Sequence, residues 1–369
     1  MPLNLYIDGL FYKGSGIGRY YESLTKELAR RGIKIYTCAP KNLRDDFEKD
    51  FKDVADNIEP IFVDYEKFSI KGFFEQSKIL KKLESGVDLF FYPHVNLPFY
   101  IPKNTIVTIH DLIPLTSFWD RSEIKRKIFI FYLKRAIVKS KSIITISHAV
   151  EKELKEYFRN LQNKINVIYE FIDDKFYAAK FDQSSIIGDE YFLFVGNRKK
   201  HKNLKNLILA FDKIKDKVKI KLVIAGSKDN KNTKDEIDLL IKNLDLKDYI
   251  IEVLSPSDNE LINLYQHAKL FVFPSLFEGF GLPPLEAIAL NCPVITSNIP
   301  VLKEIMGEDI ACFNPYDIDD MAQKLLQALT DEDLRFQLLK KGKERLKFFD
   351  KDKIINEFIE YFNYFITNR

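Results

Sequence analysis

Along the chain, short runs of β-branched and aromatic residues alternate with stretches in which apolar residues recur at helical spacing. In the first half the runs predict strands at Leu3–Ile7, Ile33–Cys38, Leu89–Tyr92, Ile106–Ile109, Ser142–Ile146 and Asn166–Ile168. Helical patterns cover Ile17–Arg31 and Glu123–Lys139. A polar stretch around Asp173–Asp189 interrupts the alternation. It restarts with strands at Tyr191–Val195, Lys219–Ala225, Ile250–Leu254, Leu270–Phe273 and Pro293–Thr296. Alternating strand and helix argues for parallel sheets covered on both faces, and one restart argues for two such domains in tandem. The expected fold class is α/β, two Rossmann-like domains with parallel sheets facing across an interdomain cleft. The boundaries expected are residues 1–175 and 176–349, with a last apolar-faced helix, about 350–369, packing back on the first domain.

Composition agrees with this picture and narrows it. At 369 residues the chain exceeds one ordinary core, and 46% hydrophobic with 30% charged residues is a soluble globular balance. No apolar run approaches the roughly 20 residues that span a bilayer. The first residues carry no basic segment followed by a long apolar stretch, so no secretory signal is expected. Cys38, Cys292 and Cys312 are scattered, which argues against a disulfide framework or a zinc site and fits a cytoplasmic protein. A net charge of +3 argues against a nucleic-acid partner.

Four segments carry candidate chemistry. In Phe273–Glu286 a buried strand ends, Gly279 and Gly281 allow close backbone approach, and a helix can begin at Pro283 or Pro284. The N–H groups there form an anion cradle. Glu278 in the loop and Glu286 in the expected first helical turn would repel phosphate, so they suit neutral hydroxyls on either side of it. The plain alternative is a strand–turn–helix connection in which Glu286 merely suits the helix dipole. In Val195–Asn203, Arg198, Lys199, Lys200 and Lys202 suit a departing nucleoside diphosphate, or form only a solvated basic loop. Gly14, Gly16 and Gly18 open the first long helix and can bring N–H groups to an anion, or make a flexible turn. They do not match G-x-G-x-x-G, and no acid ends the second strand, so a dinucleotide site is not expected. His110 and Asp111 end a strand, where a lone His is commonly structural. Ser147 reads as a helix cap.

Glu278, seven intervening residues and Glu286, within the longer string Glu278–Ala287, resemble the E-x7-E signature of retaining glycosyltransferases of family 4. The resemblance extends loosely over the whole chain and implies the GT-B fold, with an N-terminal acceptor domain and a C-terminal nucleotide-sugar donor domain. It implies that Glu278 contacts the transferred sugar, that the amides of Phe280, Gly281 and Leu282 meet sugar and phosphate, and that Glu286 binds the ribose. It places Lys202 on the diphosphate. The family's arginine usually follows the Gly or precedes the Lys, where this chain has Asn197 and His201, so Arg198 is the expected substitute. Gly16 and Gly18 would close over diphosphate or acceptor, and His110 would reach the donor sugar.

The implied function is retaining, metal-independent transfer of a hexose such as mannose. Donor and acceptor would be a nucleotide-sugar and a glycan or lipid-linked glycan, in surface polysaccharide biosynthesis. No cofactor is expected, and no metal: Asp45–Asp46, Asp173–Asp174 and Asp319–Asp320 sit at helix boundaries with nothing clustered around them. A sugar-nucleotide phosphorylase or epimerase, and a non-catalytic sugar-nucleotide-binding subunit, are the competing classes. The basic segment 121–141 reads either as a core helix with a solvated basic face or as a peripheral contact with the inner face of a membrane.

Overall fold

The structure, a computed structural model, describes residues 3–119, 122–158, 161, 164–228, 234–308 and 311–367. The chain divides into two compact units, Met1–Glu170 with Lys351–Arg369, and Phe171–Asp350.

The first unit runs β1 (Asn4–Ile7), α1 (Ser15–Arg30), β2 (Lys34–Pro40), α2 (Arg44–Asp50), β3 (Ile58–Val63), α3 (Ile70–Leu83), β4 (Leu89–Tyr92), β5 (Thr105–Ile109), α4 (Glu123–Lys139), β6 (Ser142–Thr145), α5 (His148–Tyr157) and β7 (Ile165–Val167). All seven strands are parallel, in the order β3-β2-β1-β4-β5-β6-β7. β4, β5 and β6 are buried along their whole length, which is why they read as unbroken apolar runs. β3 was not expected, because Glu59 and Pro60 interrupt its pattern. Proline is tolerated there since β3 is the edge of the sheet, where a ladder donor can be missing.

The second unit runs α6 (Asp174–Ala178), β8 (Tyr191–Val195), α7 (Leu204–Asp212), β9 (Lys221–Gly226), α8 (Glu236–Asn243), β10 (Ile250–Leu254), α9 (Asp258–His267), β11 (Leu270–Phe273), α10 (Leu282–Ala289), β12 (Val294–Ser297), α11 (Pro300–Met306), β13 (Cys312–Phe313), α12 (Ile318–Thr330) and α13 (Glu332–Leu346). Its six parallel strands follow the order β10-β9-β8-β11-β12-β13. β13, two residues long, is too short to leave a periodic signal.

The last helix, α14 (Lys351–Thr367), belongs to the first unit. It buries Ile354, Ile355, Phe358 and Phe362, and the Phe362 ring lies 5.4 Å from that of Phe91 on β4.

Each sheet has one place where the chain crosses from one half to the other, between β1 and β4 and between β8 and β11. In open parallel sheets, ligands collect beyond the carboxyl ends of the strands at such a point. The segments after β8 and β11 carry the candidate loop Gly196–Asn203 and the Glu278–Glu286 string.

Candidate functional site

At the β8/β11 switch point the two loops are joined by side chains. The Lys202 ammonium donates to Glu278 Oε1 at 2.6 Å, and the Ser275 hydroxyl donates to the same oxygen at 2.7 Å. Both charged side chains are largely shielded, which strengthens the pair relative to a surface one. Glu278 Oε2 meets no protein donor among the described residues, and the Lys202 ammonium keeps two N–H groups for other acceptors. Asn203 fixes the relative position of the loops. It adopts a left-handed φ of 58°, and its side-chain amide donates to the carbonyls of Pro274 at 3.0 Å and Pro315 at 2.8 Å. Leu276 N–H adds a bond to His201 O at 2.7 Å.

Helix α10 starts at Leu282, earlier than the prolines suggest, because Pro283 and Pro284 can both occupy its first turn. Gly281 precedes it with φ +132°, a conformation few side chains allow, and a Cβ there would lie 2.9 Å from Leu302. No protein acceptor among the described residues takes the N–H of Gly281 or Leu282. The Phe280 ring is buried edge-on against Phe349 at 5.6 Å, so only its backbone is placed for a ligand role. Glu286 falls at the start of the second helical turn, not in the first. It is buried, and its Oε2 accepts from the Tyr265 hydroxyl at 3.3 Å.

Arg198, the expected substitute on the diphosphate, is paired with carboxylates of its own unit. Its guanidinium is held by Asp235 at 2.9 Å, Asp238 at 2.7 Å and Glu252. Lys228 also pairs with Asp238. Burial alone would raise the Asp238 carboxyl, but hydrogen bonds from Lys228 and Arg198 prevail and hold it at about 2. Two cations face three carboxylates, so the cluster carries no surplus positive charge for an incoming anion. Asp235 also caps α8, with Asp238 completing a capping box, so Arg198 locks the start of that helix.

In the first unit, His110 Nε2 lies 3.0 Å from Pro93 O and Nδ1 lies 3.3 Å from Glu170 Oε1, while Tyr20 packs edge-on against the ring. Gly18 lies inside the first turn of α1, and its bareness has a packing cause: a Cβ there would be 2.4 Å from Phe11 O. Gly16 has open space where a Cβ would be. Ser147 caps α5 by accepting from Val150 N–H, as expected of it.

The family described as Glycosyltransferase Family 4 matches residues 14–176, and the family described as Glycosyl transferases group 1 matches residues 178–345. The chain belongs to this group 1, family 4 class of glycosyltransferases. The O-antigen chain mannosyltransferase RfbU of Salmonella typhimurium is 31% identical over 236 residues, which span 63% of this chain and 64% of the relative. Sucrose-phosphate synthase from Thermosynechococcus elongatus superposes with a TM-score of 0.82 at 17% identity, covering 100% of both chains. The Anabaena protein HepE, solved with UDP and glucose, gives 0.75 at 13% identity over 98% of this chain and 99% of its own. These solved structures establish the GT-B fold.

In this chain the residues expected to act together on the donor side separate into two sets. Lys202, Glu278 and the amides of Gly281 and Leu282 share the carboxyl end of the second unit's sheet, whereas Arg198, in the same loop as Lys202, pairs with Asp235, Asp238 and Glu252. Ser275 and Asn203 had been overlooked. Ser275 stands three residues before Glu278, and Asn203 is a residue type that tolerates left-handed backbone at a helix start, so each left a local signal. The acid pairs are helix-boundary residues. Asp45 and Asp46 lie in the first turn of α2, Asp173 caps α6, and Asp319 and Asp320 lie in the first turn of α12.

The first unit's switch point holds a second network that sequence reasoning missed. Asp8, just beyond β1, accepts from the Tyr6 hydroxyl at 2.9 Å, Leu10 N–H at 3.2 Å and the Gln76 amide, and it contacts His94 Nε2 at 2.7 Å. Asn96 N–H donates to His94 Nδ1 at 3.1 Å, so the ring proton sits on Nε2 and is donated to Asp8. Both side chains are fully enclosed.

Nearby in sequence to His110, Asp111 acts on Glu153 of α5. Burial first, then Asp111 and Glu156, push the Glu153 carboxyl up to about 7, and its Oε2 has no hydrogen-bond partner among the described residues. The folded state therefore holds this proton more tightly than the unfolded chain. Stability falls as pH rises from about 4.3 to about 7, and the whole penalty stands above that. Glu153→Gln is expected to raise the melting temperature above about pH 7 and to leave it nearly unchanged near about pH 4. An equal shift at both ends would refute the assignment.

Proposed function

We propose that this chain is a retaining, metal-independent hexosyltransferase. It moves a hexose, mannose being the first candidate, from a nucleoside diphosphate sugar to a glycan or lipid-linked glycan during assembly of a surface polysaccharide. The observation that carries this reading is the Lys202–Glu278 pair at the β8/β11 switch point, beside the unaccepted amides of Gly281 and Leu282. The name of the matched O-antigen mannosyltransferase and the UDP and glucose bound to HepE support the substrate class.

In this mechanism the two remaining Lys202 N–H groups and the amides take up negative charge on the leaving diphosphate, which is the role a metal would otherwise fill. Glu278 Oε2, which meets no donor among the described residues, accepts from hydroxyls of the transferred hexose. Glu286 takes the ribose hydroxyls. The bond from the anomeric carbon to the phosphate oxygen breaks as the acceptor oxygen bonds on the same face. The acceptor's proton passes to the departing phosphate. His110 is proposed as the first unit's catalytic group.

A panel of UDP-, GDP- and dTDP-sugars tests the donor. One nucleotide series is expected to raise the melting temperature, by about 2.7 kcal/mol of stabilisation at a hundredfold excess over Kd. The anomeric configuration of the product, read by NMR, then tests retention. A protein indifferent to every donor, or an inverted product, would defeat the proposal.

A further inference from the structure

Helix α4 carries two apolar stripes on opposite sides. Leu133, Ala136 and Ile137 lie on one and are buried. Ile124, Ile128, Phe131 and Val138 recur at helical spacing on the other, and all four face solvent, Ile124 and Val138 at 72% and Phe131 at 61% exposure. A core helix with a merely solvated basic face would have polar residues there. Lys125, Lys127 and Lys134 border the outer stripe, exposed and without a carboxylate partner among the described residues. Arg121, at the start of the basic segment, lies outside the described residues.

The apolar surface continues beyond α4. The Tyr132 ring lies 5.3 Å from Phe68 and 5.5 Å from Phe73, and Phe99 meets Phe73 at 5.4 Å and Phe74 at 4.8 Å. Arg135 fixes the Phe99 loop to α4 by donating to the carbonyls of Leu97 at 2.7 Å, Pro98, and Phe99 at 3.2 Å. Phe68, Ile70, Phe74 and Phe99 are exposed. The lysines on this part of α3 are Lys71 and Lys78, paired with Asp64 at 3.2 Å and Glu75 at 2.8 Å. Glu123 faces Arg126 at 3.4 Å.

Aromatic and aliphatic side chains bordered by unpaired lysines match one kind of surface well. A second copy of this chain on a twofold axis would set lysine against lysine, and protein interfaces exclude lysine from their centres. An anionic lipid surface accepts both features, with apolar rings at the acyl boundary and ammonium groups among the phosphates. We infer that this face of the first unit docks on an anionic phospholipid bilayer, with Phe74, Phe99 and Phe131 inserted and Lys125, Lys127 and Lys134 at headgroup level. No described helix is long and apolar enough to cross a membrane, so the contact is peripheral. It involves neither donor nor acceptor, and so stands or falls apart from the transfer reaction.

Flotation of the full chain with phosphatidylcholine vesicles, with and without phosphatidylglycerol, tests this directly. The protein should float with the phosphatidylglycerol vesicles, less so at high salt, and hardly at all with phosphatidylcholine alone. Phe74→Ser with Phe131→Ser should lower the partition coefficient by about tenfold or more. Lys127→Glu with Lys134→Glu should lower it by about fivefold for each charge removed. Phe336→Ser, an exposed phenylalanine on α13 in the other unit, should leave binding intact. Unchanged melting temperatures would show that the variants fold. The inference is overturned if the unaltered chain ignores phosphatidylglycerol vesicles at low salt, or if the double phenylalanine variant binds them as well. It is equally overturned if sedimentation shows a dimer that the phenylalanine exchanges dissociate, since a second copy would then own the surface.

Discussion

Exchange of Lys202 for methionine is expected to lower transfer by about 10²–10³-fold, the range seen when one donor to a developing anion is removed. Methionine keeps most of the length and the apolar stem, but it loses the ammonium that lies 5.4 Å from the centre of the Phe273 ring. What disappears is the cation. Glu278 then keeps only the Ser275 hydroxyl at 2.7 Å, and its uncompensated charge repels the leaving diphosphate. Two losses thus follow from one substitution. Glu278→Gln alone should also impair transfer, by removing an acceptor for the sugar hydroxyls. Because the two side chains share one bond, the double variant should be less impaired than the product of the single effects predicts. The measurement is kcat/KM with the donor found by thermal shift. Activity within a few-fold of the unaltered protein would remove Lys202 from the reaction.

Asp8→Ala is expected to destabilise the first unit by about 3–5 kcal/mol, the cost of leaving enclosed partners of a charge unmet. The carboxylate is completely enclosed and accepts hydrogen bonds from Tyr6, Leu10, Gln76 and His94. Without it the Tyr6 hydroxyl, one Gln76 N–H and the His94 Nε2–H are stranded with no water to replace the acceptor. Asp8→Asn restores the volume but turns an NH2 group toward donors, and is expected to recover little of the loss. Calorimetry suits this test, since the two units need not unfold together. Only the first unit's transition should move, and a shift corresponding to under about 1 kcal/mol would show the network to be dispensable.

Some of this was readable from the residues alone. Strands made of unbroken apolar runs, such as Leu89–Tyr92, Tyr191–Val195 and Leu270–Phe273, appear with the expected bounds, because burial on both faces leaves no polar position to blur them. β3 was hidden because an edge strand can hold proline and glutamate. At the candidate site, Lys202 and Glu278 each stood out by type and local setting. Their bond did not, since 76 residues separate them and only the β8/β11 adjacency brings them together. The same distance effect hid the partners of Arg198. Its loop looks uniformly basic, and the carboxylates that neutralise it arrive from α8 and β10. Asp8 and His94 were invisible for a related reason, being ordinary residues until β1 and β4 lie side by side.

The return of α14 to the first unit bears on how the chain is made. Residues Phe171–Asp350 form one continuous segment that can close its own core as soon as it has left the ribosome. The first unit, though synthesised earlier, waits for Lys351–Thr367 to bring Phe358 and Phe362 over Phe91. During that interval Phe91 on β4 lacks the cover of these two rings. The half of the molecule that begins first is therefore the half that finishes last.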